Sequence, residues 1–229
     1  MGCNLEDRMR TLRARYEDQL LTVLTILLLL LMFVVAPLQA AGLVAFDIFG
    51  VIVALAMVGG VLIMSGSLVA STVILVAVCL NVVVIVLRLL DARVAIDLYV
   101  VAAAWLVITL TLGCVVGRNV FGPGKVSYHR IVGAVLLYFL IAMSFASLFT
   151  FVALIAPKAF SGIVMEDNSA IGGTLIYFSL VTLTTTGYGD IFPVHPIARS
   201  LCNLEAVIGQ LYPATLLARL VSLEVAGRD

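Results

Sequence analysis

The sequence predicts an all-α integral membrane protein with six transmembrane helices plus a re-entrant helix and loop. Three observations carry this. The 229 residues are 63% hydrophobic and 11% charged, where soluble domains run at about 45 to 50% and about 25%. The few charges are spaced so that uncharged runs of membrane-spanning length lie between them. One such run ends in TTTGYGD, residues 184–190, whose glycines break any continuous helix.

A spanning helix needs about 20 apolar residues at about 1.5 Å each. Between Asp18 and Asp47 lie 28 uncharged residues, giving a first helix near 20–42 with Pro37 towards its far end. Between Asp47 and Arg88 lie 40, enough for two helices, and Ser65-Gly66-Ser67 supplies a turn dividing them into 48–65 and 68–88. Asp97 to Arg118 encloses 20 and Arg130 to Lys158 encloses 27, the fourth and fifth helices. The sixth runs from about Pro196 to Leu223, with Arg199, Glu205 and Arg219 as its charges.

Six spans put both termini on one side, and basic residues should concentrate in the cytoplasm. Arg8, Arg10, Arg13, Arg15, Arg118, Lys125, Arg130, Arg219 and Arg228 fall inside, against Arg88, Arg93, Lys158 and Arg199 outside. Cytoplasmic termini are therefore expected, and short loops with little soluble mass suggest a prokaryotic inner membrane. Before the first span, Leu5, Met9, Leu12 and Tyr16 share a face at helical spacing, so residues 1–19 are read as a cytoplasmic amphipathic segment.

Equal numbers of acidic and basic residues, 13 each, leave no electrostatic footprint for nucleic acid. Cys3, Cys79, Cys114 and Cys202 form no CxxC pair and suggest neither a disulfide framework nor a metal site. With only His129 and His195 as histidines, no nucleophile, base and metal cluster emerges. The expectation is a non-enzyme without cofactor.

Between Asp167 and Asp190 lie 22 uncharged residues. Gly172-Gly173 opens this stretch, Leu175 to Thr184 is helix-compatible, and the glycines then end the helix. A helix over 173–184 is about 18 Å long, so it enters a bilayer without crossing it. Irregular backbone at that depth must line a watery path or be buried in protein. Glycines at alternate positions permit the positive φ values that turn successive carbonyls the same way, a lining suited to cations.

These residues, TLTTTGYGD at 182–190, closely resemble the potassium-channel signature TxxTxGYGD. The resemblance covers about Arg130 to Arg219. It implies a pore domain at 129–223, comprising an outer helix 129–156, pore helix 173–184, filter 185–190 and inner helix 196–223. The four helices of the preceding domain, 20–117, match the six-span layout in number and hydropathy alone; 118–128 is read as a linker and 224–229 as a short tail. By resemblance, Thr185 supplies a hydroxyl and a carbonyl to K+, while Thr186, Gly187 and Tyr188 supply carbonyls. Gly189 completes the mouth, Asp190 anchors the turn behind it, and Thr184 supports the filter from the helix end. One filter strand per chain needs three further copies to close a ring.

Departures from the family matter too. Thr186 stands where Val or Ile is usual, and Val181 where some members place a carboxylate that couples to the filter Asp, so no such coupling is expected. Residues 98–117 carry no basic residue, which implies little intrinsic voltage dependence. Gly209, 22 residues past Gly187, resembles the family's inner-helix hinge, and Pro213 lies one turn on. Gln210, Ala214 and Leu217 share a face that would line the cavity, and the gating stimulus would come through the membrane part or a partner. Glu205 is a modulatory candidate, paired with Arg199 or a neighbouring subunit or facing water; His195 is a candidate for external pH sensing. The leading expectation is passive potassium conduction through a homotetramer. A non-selective cation pore, a silent regulatory subunit and an uptake transporter are the alternatives, the last disfavoured because transporters carry four pore repeats in one chain.

Overall fold

The computed structural model describes residues 21–41, 52–60, 68–89, 97–122, 128–156, 158–163 and 168–226. The amphipathic segment expected before the first span and the division expected at Ser65 to Ser67 lie outside these residues.

The first helix, α1, covers 21–40. Its α-helical residues 21–30 pass into a π-helical turn at Leu31–Val35 and return to α geometry at Ala36–Ala40. The Ala36 amide reaches back to the Leu31 carbonyl across this turn. Pro37 explains the location, because its ring cannot sit against the carbonyl of an ordinary preceding turn and has no N–H to give. Residues 52–60 form α2. Then follow α3 (Leu68–Leu89), α4 (Asp97–Val120) and α5 (Tyr128–Ile155), each apolar on nearly every face.

Four segments among the described residues are long and apolar enough to cross a membrane: Leu21–Leu38, Val69–Leu87, Leu98–Val120 and Arg130–Ile155. Their exposed surfaces agree with lipid as solvent. On α3, Val69, Val73, Val76, Leu80 and Val83 form an exposed stripe, whereas Ile74, Ala77, Val78 and Val84 turn inward. A soluble protein would not leave so continuous an apolar face to water. The chain is a multi-pass integral membrane protein.

Helix α4 packs on α3 and most extensively on α5. Within that last contact the buried Ser144 hydroxyl lies 2.9 Å from the Thr109 hydroxyl, a polar link of the kind that holds helices together where hydrophobic burial supplies no driving force.

A short helix, α6 (Asn168–Leu183), leads into the TTTGYGD segment, and a long one, α7 (Pro196–Ala226), follows it. The expected pore helix, 173–184, is thus corrected: the helix begins five residues earlier and passes through Gly172 and Gly173. No atom lies near a Cβ added at Gly172, so that glycine meets no steric demand and tertiary packing overrides its poor propensity. Sixteen residues make α6 about 24 Å long, still short of a bilayer core of about 30 Å. Helix α7 is not among the four apolar spans; Asn203, Glu205, Gln210, Thr215 and Arg219 interrupt its hydropathy.

Helix α6 is held by α5 and α7, with Ala36–Ala40 of α1 also against it. An aromatic cluster fixes its approach to α5: the Phe149 ring lies 5.1 Å from Phe178 and 5.7 Å from Phe160, and Phe160 lies 5.4 Å from Phe178. Two short strands, β1 (Phe160–Ser161) and β2 (Phe192–Pro193), pair antiparallel and staple the loop before α6 to the loop after the TTTGYGD segment. At the far end of α7, the Arg219 guanidinium donates to the carbonyls of Phe121 and Gly122 at 2.7 and 3.0 Å and lies 5.1 Å over the Phe121 ring. This ties the end of α4 to α7.

Candidate ion-conduction site

Leu183 ends α6, and the amides that follow turn back onto its last carbonyls. Thr184 N–H donates to Leu180 O at 3.0 Å, Thr185 N–H to Thr182 O at 3.0 Å, and Thr186 and Gly187 N–H both to Val181 O at 2.9 and 3.4 Å. Positive φ values occur at every second residue, Thr185 at 56°, Gly187 at 58° and Gly189 at 79°. Such alternation of hand makes successive N–H groups converge on one side, the geometry of a nest, which here receives the Val181 carbonyl. The carbonyls of Thr185, Thr186, Gly187 and Tyr188 receive no hydrogen bond from the described residues. Thr185 is the notable member, since a β-branched residue at φ 56° is strained.

Side chains brace this segment at three levels. The Gln210 amide of α7 donates to Thr185 Oγ1 at 2.7 Å. The Thr184 and Thr186 hydroxyls lie 2.8 Å apart, and Thr184 also donates to Leu180 O. Tyr177 on α6 donates its phenolic proton to Asp190 Oδ2 at 2.8 Å. Asp190 is thus held from α6 by a tyrosine at position 177. Tyr177 lies one turn before Val181 on the same face of α6. Replacing Tyr177 by Phe is expected to raise amide hydrogen exchange of residues 189–191 several-fold while α5 is unchanged. Tyr177→Trp, which keeps an N–H donor, should stay near wild type.

Gly209 lies where α7 crosses the end of α6: a Cβ there would overlap the Leu183 carbonyl oxygen and stand 2.8 Å from its carbon. Tyr138 of α5 also reaches that carbonyl, at 3.4 Å. Helix α7 runs unbroken through Gly209 and Pro213. Beyond Gln210, Ala214 and Leu217 are exposed.

Glu205 is fully buried. Its pairing with Arg199 and its facing water are both corrected: Arg199 Nε donates to Pro193 O at 3.2 Å, and Glu205 Oε1 lies 2.5 Å from the hydroxyl of buried Ser179 on α6. His195 sits at the start of α7, where its Nδ1 accepts from Ile197 N–H at 3.3 Å as a helix cap. Residues 184–190 are exposed in the single subunit, Tyr188 at 71%.

A membrane domain in which a helix too short to cross delivers a strained, carbonyl-bearing loop to the top of a polar helix has the form of an ion pathway. Residues 131–225, which run from α5 through α7, match a family model described as ion channel. The match supports an ion channel over this part of the chain. No curated protein and no solved structure matches the chain.

Proposed function

We propose that the chain is a subunit of a potassium-selective channel that conducts passively through a homotetramer. The observation that carries this is the alternation of positive φ at Thr185, Gly187 and Gly189 above a hydroxyl held by Gln210. Four such strands around one axis would offer K+ stacked carbonyl rings from Thr185 to Tyr188 in place of its hydration shell, with the Thr185 hydroxyl at the base. The C-terminal end of α6, with its partial negative charge, would favour a cation below. The exposure of the segment and of Tyr188 suits surfaces that neighbouring copies cover. In α4 the basic residue of the last turn is Arg118, so little charge would move in the membrane field.

The test is flux from purified protein in liposomes under potassium and sodium gradients. Potassium flux should exceed sodium flux greatly; no flux from intact tetramers would favour a silent subunit that needs a partner. The hydroxyl pair Thr184–Thr186 favours a second reading, a non-selective cation pore, because it replaces apolar packing behind the filter with a polar contact. Thr186→Val keeps the shape without the hydroxyl. Under the leading reading its selectivity stays within about threefold of wild type, less than the worth of a typical hydrogen bond. Equal fluxes in wild type with selectivity gained in Thr186→Val would establish the second.

A further inference from the structure

Ser179 Oγ lies 2.7 Å from the Ala142 carbonyl of α5 and 2.5 Å from Glu205 Oε1 of α7. A hydroxyl has one proton to donate, and a backbone carbonyl only accepts. Were Glu205 a carboxylate, two acceptors would compete for that proton, and one contact would set bare lone pairs face to face. We propose that Glu205 is a positioning residue that carries its own proton, donating as a carboxylic acid to Ser179, which donates onward to Ala142, so that this chain of two bonds locks α6 to α5 and α7 behind the filter.

The surroundings agree. Ser179 is fully buried, and Glu205 Oε2 has no hydrogen-bond partner, tolerable for the carbonyl oxygen of a neutral acid and far costlier for an ionised one. Among the described residues, Tyr138 on α5 and Cys202 on α7 are titratable groups near it. Tyr177 of α6 is engaged with Asp190, Arg199 with Pro193 and Tyr212 with the Ala134 carbonyl, and the described residues of α1 include no ionisable side chain. No cation faces the carboxyl among these groups. The register is informative as well: Ser179 meets Glu205, and one turn later on both helices Leu183 meets Gly209. The lock therefore sets how α7 lies on α6 where the filter segment begins. Loss of the proton to bulk water would leave Ser179 between two acceptors and free α7 from that register.

Flux as a readout rests on the function proposed above, so the proton itself is read independently, by infrared spectroscopy of the purified protein in liposomes at neutral pH. A protonated-carboxyl carbonyl band should be present, vanish in Glu205→Gln and shift in Ser179→Ala; absence of a band removed by Glu205→Gln overturns the proposal whether or not the pore conducts potassium. In flux, Glu205→Gln, whose amide donates the same bond, should stay within about threefold of wild type, whereas Glu205→Leu should fall about tenfold or more, on the scale of a lost buried hydrogen bond. A Gln variant as impaired as Leu also overturns it. A band that behaves as stated in a protein without potassium flux would retire the functional reading and leave the proton assigned.

Discussion

Replacing Gly187 by Asp is expected to cut potassium flux at least about a hundredfold, equivalent to about 2.7 kcal/mol on the permeation barrier, while the subunit still folds and assembles. A Cβ at Gly187 meets no atom within 4 Å inside the subunit. Its φ of 58° lies in the left-handed region that Asp tolerates better than most residues. In the proposed tetramer the cost would arise where copies meet. Charges about 4 Å apart interact by roughly 4 kcal/mol at an effective dielectric near 20. A ring of carboxylates would hold a cation too firmly to release it, and conduction needs binding weak enough to leave. Thermal stability and chemical cross-linking report the folded, assembled state; flux surviving in the variant would remove residues 185–189 from the conduction path.

Gly209→Ala should fail differently, by loosening the assembly of α6 on α7. The added methyl would overlap the Leu183 carbonyl, a backbone group that cannot swing aside, and overpacking of this kind costs about 1 to 3 kcal/mol. The same carbonyl accepts from the Tyr138 phenol, and its movement would drag residues 184–186, which follow it directly. The expected result is a melting temperature lower by several degrees and potassium flux reduced about tenfold, in line with that cost. Were Gly209 purely a hinge, stability would hold and only the duration of openings would change. Calorimetry and single-channel recording on one preparation separate the two.

The difference between these glycines shows what the sequence could convey. Gly187 and Gly189 are legible locally, because alternate glycines in TTTGYGD point directly to a backbone of alternating hand. Gly209 is visible only as a glycine in a helix; that it touches Leu183 depends on a crossing between helices. The same division holds elsewhere. Charge spacing agrees with the bounds of α1, α4 and α5 to within a few residues, since burying a charge in lipid costs too much to blur the boundaries. The start of α6 at Asn168 is not legible in the sequence, because Gly172-Gly173 reads as a breaker until packing is known. The pairs Tyr177 with Asp190, Gln210 with Thr185 and Ser179 with Glu205 join residues 13, 25 and 26 positions apart on different elements. No periodicity encodes them. Thr185 at φ 56° was likewise invisible, as threonine ordinarily argues against that conformation.

The clamp from Arg219 bears on how the protein is made. The carbonyls of Phe121 and Gly122, just past the last turn of α4, accept hydrogen bonds from a side chain up to 98 positions later. At about 5 to 20 residues per second, a ribosome needs roughly 5 to 20 s to travel that distance. During this interval water, lipid headgroups and, among the described residues, Arg130 can satisfy the end of α4, Arg130 donating to Gly122 O at 3.2 Å. The end of α4 is thus inserted before the Arg219 clamp exists, and α7 closes it when it arrives.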